Sequence, residues 1–205
     1  MSDPRTPIRP RVHEEHVPGH GTFRIRPLDP AADCATVHGW VREERAAFWG
    51  MGDLTLQQLT DVYAELDGLT THHAYLVERD GEPVALLQTY DPAADRVGAC
   101  YEVRPGDIGI HLLLAPAGPR GGRRGWTAAL SAVIASYVLR GPDRRRVVAD
   151  PDVRNLKAIG RLREQGFTPG PEVVLPEVVL PAARLPEKRA RLAFLTRETV
   201  FPDGS

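Results

Sequence analysis

The run Ile108-Gly109-Ile110-His111-Leu112-Leu113-Leu114 is apolar at odd and even positions alike, apart from one histidine. A strand turns alternate side chains to opposite faces, so such a run belongs in the middle of a sheet covered on both sides. The fold must therefore cover a central strand from above and below, with an imidazole set into that strand. A chain of 205 residues with 42% hydrophobic content holds enough apolar material for one such core. Residues 22–200 are read as a single domain, after a flexible lead-in over 1–21 and before a tail over 201–205. The lead-in is inferred from Pro4, Pro7, Pro10 and Pro18 and from the lack of apolar periodicity.

Around the central strand the patterns alternate between periods of two and of 3.6. Phe23 and Ile25 against Arg24 and Arg26 predict a first strand; Val37, Trp40 and Val41 predict a helix from Asp33 to the Arg45–Trp49 region. Leu56, Leu59, Val62, Tyr63 and Leu66 predict a second helix. Asp80-Gly81 predicts a tight turn between strands His73–Arg79 and Glu82–Tyr90. Beyond the central strand come a long apolar helix opening at Trp126, a short strand from Arg145 to Asp150, and a helix over Leu156–Leu162 closed by Gly166. The tandem PEVVL at 171–175 and 176–180 reads as an irregular strand with prolines at its edges, and Arg189–Leu195 as the last strand. The order is β-α-α-β-β-β-α-β-α-β-β, an α/β chain of the α+β kind.

A net charge of −1 gives no general attraction to nucleic acid or anionic membrane. Cys34 and Cys100 lack the spacing of a zinc site or a disulfide framework, so no metal is expected. No signal segment or membrane span is apparent, and a cytoplasmic protein is expected.

Two constellations carry chemistry. Arg120-Gly121-Gly122-Arg123-Arg124-Gly125-Trp126-Thr127 stands between the central strand and a helix, where backbone N–H groups and the helix N-terminus favour an anion such as a pyrophosphate. Read alone, it could equally be a solvated loop. It has neither the G-K-[ST] of a triphosphate loop nor the spacing of a dinucleotide fingerprint. His111 and Asp150 lie at or near the ends of strands flanking that helix, where ligands collect in α/β sheets. Each could instead be structural, a satisfied core histidine or a turn-shaping aspartate.

Gly109-Ile110-His111, the Arg124-Gly125 loop, and Asp150-Pro151-Asp152-Val153-Arg154-Asn155 before a helix ending at Gly166-Phe167 together resemble the GNAT acyltransferases. More narrowly, the chain resembles the branch that acylates N-hydroxylated lysine, ornithine or diamines in hydroxamate siderophore assembly, of the aerobactin, alcaligin and mycobactin type. The likeness covers roughly Phe23 to Thr199, His38-Gly39-Trp40 and Phe48-Trp49 included. The loop departs from the family pattern Q/R-x-x-G-x-G/A at Gly122 and Thr127.

The resemblance implies a mixed, mostly antiparallel twisted sheet splayed between two central strands and flanked by about four helices. It implies an acyl-CoA co-substrate, acetyl-CoA or succinyl-CoA, held by Leu113, Leu114, Gly122, Arg123, Arg124, Gly125, Trp126, Thr127 and Asn155. The acceptor would be a small amine or hydroxylamine against Trp40, Phe48, Trp49 and Arg154. Asp150 would be general base and substrate anchor, with His111 as partner to the N-hydroxyl or as the alternative base. Monomer and homodimer both remain open.

Overall fold

The computed structural model describes residues 12–117, 125–179 and 184–203. Eight strands form its main sheet: β1 (His13–Val17), β2 (Gly21–Pro27), β3 (His72–Arg79), β4 (Glu82–Tyr90), β5 (Asp107–Leu114), β6 (Arg146–Ala149), β7 (Thr168–Leu175) and β10 (Lys188–Thr196). They lie in the order β1-β2-β3-β4-β5-β6-β10-β7, and every neighbouring pair is antiparallel except β5 with β6. Between them, β8 (Val178–Val179) and β9 (Arg184–Leu185) pair as a separate two-stranded arm. The helices are α1 (Pro30–Val41), α2 (Leu56–Asp67), α3 (Trp126–Leu139), α4 (Leu156–Glu164) and the short α5 (Arg197–Val200). Among the described residues, no helix is long and apolar enough to cross a membrane.

The two-faced apolar run does what its pattern requires. Ile108, Ile110, Leu112 and Leu114 join a core with Leu130, Val133 and Ile134 of α3. Leu113 faces the other way, into a second core with Val37 and Trp40 of α1 and Leu59 and Tyr63 of α2. The helix starts are tied down by side chains. Asp29 accepts from the Ala31 and Ala32 backbones, and Thr55 with Gln58 forms a reciprocal capping box on α2. Arg26 grips both oxygens of Asp33 at 2.7 and 2.8 Å and reaches Glu78 at 2.8 Å, fastening α1 to the sheet.

The fold departs from the sequence expectations in three places. Part of the lead-in is structured, since His13–Val17 pairs with β2 from His13↔Ile25 to Val17↔Gly21. Its inward residues include the polar His13 and Glu15, so the alternation leaves no apolar trace; His13 stacks on Tyr137 at 5.6 Å instead. The first helix stops at Val41, and Glu44–Trp49 forms a separate 3-10 turn closed by Gly50 at φ 77°. The two PEVVL copies diverge: the first ends β7, an edge strand where Pro169 and Pro171 are tolerated, whereas Val178 and Val179 of the second belong to the arm.

Candidate active site

The parallel β5–β6 ladder ends at Gly109↔Val148, while β5 runs on beside β4 as far as Ala85↔Leu114. The sheet therefore opens between β5 and β6. Each strand residue directs its N–H and C=O to the same edge, and successive residues alternate. Ala115 donates to Val84 O at 2.8 Å, on the β4 side, so Leu112 and Leu114 aim their backbone groups into the opening. Arg45 Nη1 meets Leu114 O there at 2.5 Å. Leu113, expected to hold cofactor, bonds its backbone toward β4 and lies 6% exposed in the second core. Alternation turns the backbone groups of Leu112 and Leu114, rather than those of Leu113, toward the opening.

Continuing the β5–β6 register past its last pair sets residue 111 opposite residue 150 on one face. The side chains meet, with His111 Nε2 3.1 Å from Asp150 Oδ1. His111 thus lies within its strand rather than at the end, and it reaches the cleft because β6 has stopped. Tyr90 also donates to Asp150 Oδ1 at 3.1 Å, and Lys188 Nζ donates to Oδ2 at 2.7 Å. Asp150 is only 4% exposed. Burial works to raise its carboxyl, but the adjacent His111 and Lys188 outweigh that and hold it well below the ordinary carboxylate range. Burial and the Asp150 charge push the Tyr90 phenol well up, keeping it a donor.

The other imidazole nitrogen, Nδ1, faces Gln88 Oε1 at 3.2 Å, and Gln88 Nε2 donates to Tyr63 Oη at 3.3 Å. The rings of Tyr90 (4.8 Å) and Trp49 (6.3 Å, edge-on) flank the imidazole. Backbone and side-chain contacts thus fix the ring in place, with acceptor oxygens at both nitrogens. Gln88, Tyr90 and Lys188, which complete the cluster around the pair, lie outside the sequence expectations; the period-two alternation of β4 is the one local signal for Gln88 and Tyr90.

A cleft of about 1950 Å³ runs through the opening. It is lined by Phe48, Trp49, Leu113, Leu114, Trp126, Thr127, Arg154 and Asn155, as well as His111 and Asp150. Trp40 is different: at 7% exposure it packs in the second core, a structural side chain rather than a wall of the cleft. Arg154 pairs with Asp152 at 2.8 and 2.7 Å and lies over the Phe48 ring at 5.5 Å. Asn155 caps α4 by accepting from Ala158 N at 3.1 Å. Gly125 takes a left-handed conformation (φ 84°) at the start of α3. Gly122, Arg123 and Arg124 lie outside the described residues. Among the described residues, no group of three or more His, Cys, Asp or Glu side chains is placed to hold a metal ion.

Residues 29–175 match the acetyltransferase (GNAT) domain family. The N(6)-hydroxylysine O-acetyltransferase of Escherichia coli is 28% identical over 98% of this chain and 61% of its own length. The lysine N-acyltransferase MbtK of Mycobacterium sp. (strain MCS) is 30% identical over 66% of this chain and 55% of its own. The chain thus spans little more than half the length of these relatives. Among solved structures, aminoglycoside acetyltransferase AAC(6')-Ib in complex with coenzyme A superposes with a TM-score of 0.67 at 22% identity, over 89% of this chain and 99% of that one.

Proposed function

The chain belongs to the acetyltransferase (GNAT) family, and from that premise we propose that it moves an acyl group from acyl-CoA to the nitrogen of an N-hydroxylated lysine, ornithine or diamine, forming a hydroxamate. The observation that carries this reading is the His111–Asp150 pair at 3.1 Å, set where the central strand loses its neighbour. Two relatives named for hydroxylysine and lysine acylation support the acceptor class.

The acceptor nitrogen attacks the thioester carbonyl carbon, and the oxyanion that develops meets an inward N–H group of the Leu112–Leu114 edge. The nitrogen then gives its proton to the His111–Asp150 pair, the C–S bond breaks and CoA leaves as the thiolate. Asp150 already accepts from three side chains and is held strongly acidic, so it serves as a fixed anion that orients the imidazole. A hydroxylamine is less basic than an alkylamine, so more of it is neutral at pH 7 and the demand on the base is modest. Phe48 and Trp49 supply an apolar wall for the acceptor's methylene stem.

The test is release of CoA thiol from acetyl-CoA or succinyl-CoA with each hydroxylated amine and with its plain counterpart. Faster turnover of the hydroxylated partner supports the reading; no thiol release with any of them ends it. A plain polyamine or aminoglycoside acceptor is the second reading, favoured by the carboxylates of Glu65, Asp95 and Glu187 along the cleft. The same panel separates the two.

A further inference from the structure

Beyond the reacting pair, the cleft wall carries Asp95 and Arg96, consecutive residues of opposite charge at the start of the short 3-10 turn Arg96–Ala99. Their place relative to the reaction is fixed by one side chain. The Tyr90 hydroxyl touches Asp150, its ring stacks on His72 at 5.8 Å and 17°, and His72 Nε2 stands 3.7 Å from Asp95 Oδ2. Tyr90 and His72 thus link Asp150 to Asp95 along one wall of the cleft.

Arg96 is held from behind. Its Nη1 donates to Pro186 O at 2.8 Å and Pro176 O at 3.2 Å, at the two roots of the β8–β9 arm. Both bonds use a single nitrogen. Among the described residues the guanidinium has no carboxylate partner, so its Nε and Nη2 fork stays available beside the cleft, the geometry that grips a carboxylate with two hydrogen bonds. Asp95 Oδ1 is engaged with Val97 N at 2.8 Å, and burial of this carboxyl is outweighed by His72 and that N–H, which keep it anionic. A side-by-side anion and cation match a group bearing an ammonium and a carboxylate on one carbon.

We propose that Arg96 and Asp95 bind the α-carboxylate and α-ammonium of the acceptor, so that the substrate is a basic amino acid rather than a diamine. The proposal rests on the acyl-acceptor reading of the cleft and narrows it. A diamine presents an ammonium to Asp95 but nothing to Arg96. Arg96 thereby becomes a specificity residue, whose removal costs one substrate class and spares the other.

The experiment compares wild type with Arg96→Gln on N6-hydroxylysine and N-hydroxycadaverine, measuring kcat and KM by thiol release with acetyl-CoA. KM for the amino acid is expected to rise about tenfold or more, the value of a lost charge-assisted pair, while KM for the diamine stays within about twofold. An equal rise for both acceptors, or no change in either, overturns the proposal and leaves Arg96 as a staple of the arm. Calorimetric titration of L-lysine and cadaverine into the same two proteins needs no turnover. Selective loss of lysine binding in Arg96→Gln supports the headgroup site even where neither hydroxylamine is acylated; equal binding of the two by both proteins overturns it.

Discussion

The ring of Tyr90 lies flat against the backbone of Gly109: a Cβ at position 109 would come within 2.0 Å of Tyr90 Cε2. That close approach lets the Tyr90 hydroxyl reach Asp150 from the neighbouring strand. Gly109→Ala must push the ring away and disturb Asp150 with it. The expected cost is about 1 to 3 kcal/mol of stability, by overpacking, and a fall in kcat beyond tenfold. Urea denaturation and thiol-release kinetics on the same sample check both effects.

The Lys188 ammonium helps to offset the burial of Asp150. Lys188→Met removes it, so the carboxyl titrates at higher pH and the acid limb of the kcat/KM profile moves upward. Lys188→Arg should restore much of the wild-type profile. The stability sign follows from the same shift. The folded carboxyl is depressed, so its contribution is complete above the unfolded value of about 3.9 and is lost as pH falls below it. A pH series of thermal melts on wild type and Lys188→Met measures that difference.

At the far end of β5, Asp107 is fastened by Arg146 (Nε 2.8 Å, Nη2 2.7 Å), the Tyr101 hydroxyl and the Arg104 backbone, and is 6% exposed. This pair begins the parallel β5–β6 ladder, at the end away from the opening. Arg146→Met strands a buried carboxylate and should cost about 3 to 5 kcal/mol. Adding Asp107→Asn should recover part of the loss. Chemical denaturation of the two variants decides it.

Trp40 and Trp49 are nine residues apart in sequence but differ in what they do. Trp40→Ala empties part of the second core and should cost about 3 to 5 kcal/mol. Trp49→Ala opens the cleft beside His111 and should raise the acceptor KM with a smaller loss of stability. Melting curves paired with acceptor titrations distinguish the two roles.

How far the sequence could be read depended on what each residue's partners were. The central strand, the Asp80-Gly81 hairpin and the helix at Trp126 are written in local periodicity and turn chemistry, and they form close to where the pattern places them. His111 and Asp150 were visible as polar residues beside apolar runs, and extending the parallel register brings them together. Tyr90, Gln88 and Lys188 were not visible, because each reaches the pair from a strand whose register against β5 or β6 is a long-range property. The family resemblance sets Trp40 with Phe48 and Trp49 as an acceptor wall, and an aromatic's neighbours in sequence do not tell a core face from a ligand face; in the fold Trp40 packs in the second core. β1 escaped notice because polar His13 and Glu15 occupy its inward positions.

The account turns on the His111–Asp150 pair, and one assay tests it most directly: thiol release from acetyl-CoA with N6-hydroxylysine, in wild type and in His111→Ala and Asp150→Asn. The account predicts wild-type turnover with hydroxamate formed mole for mole with CoA, and a kcat lower by about a hundredfold or more in each variant, the usual value of a positioned proton acceptor. Undiminished turnover in both variants, or acylated product from wild type that is not a hydroxamate, would contradict it.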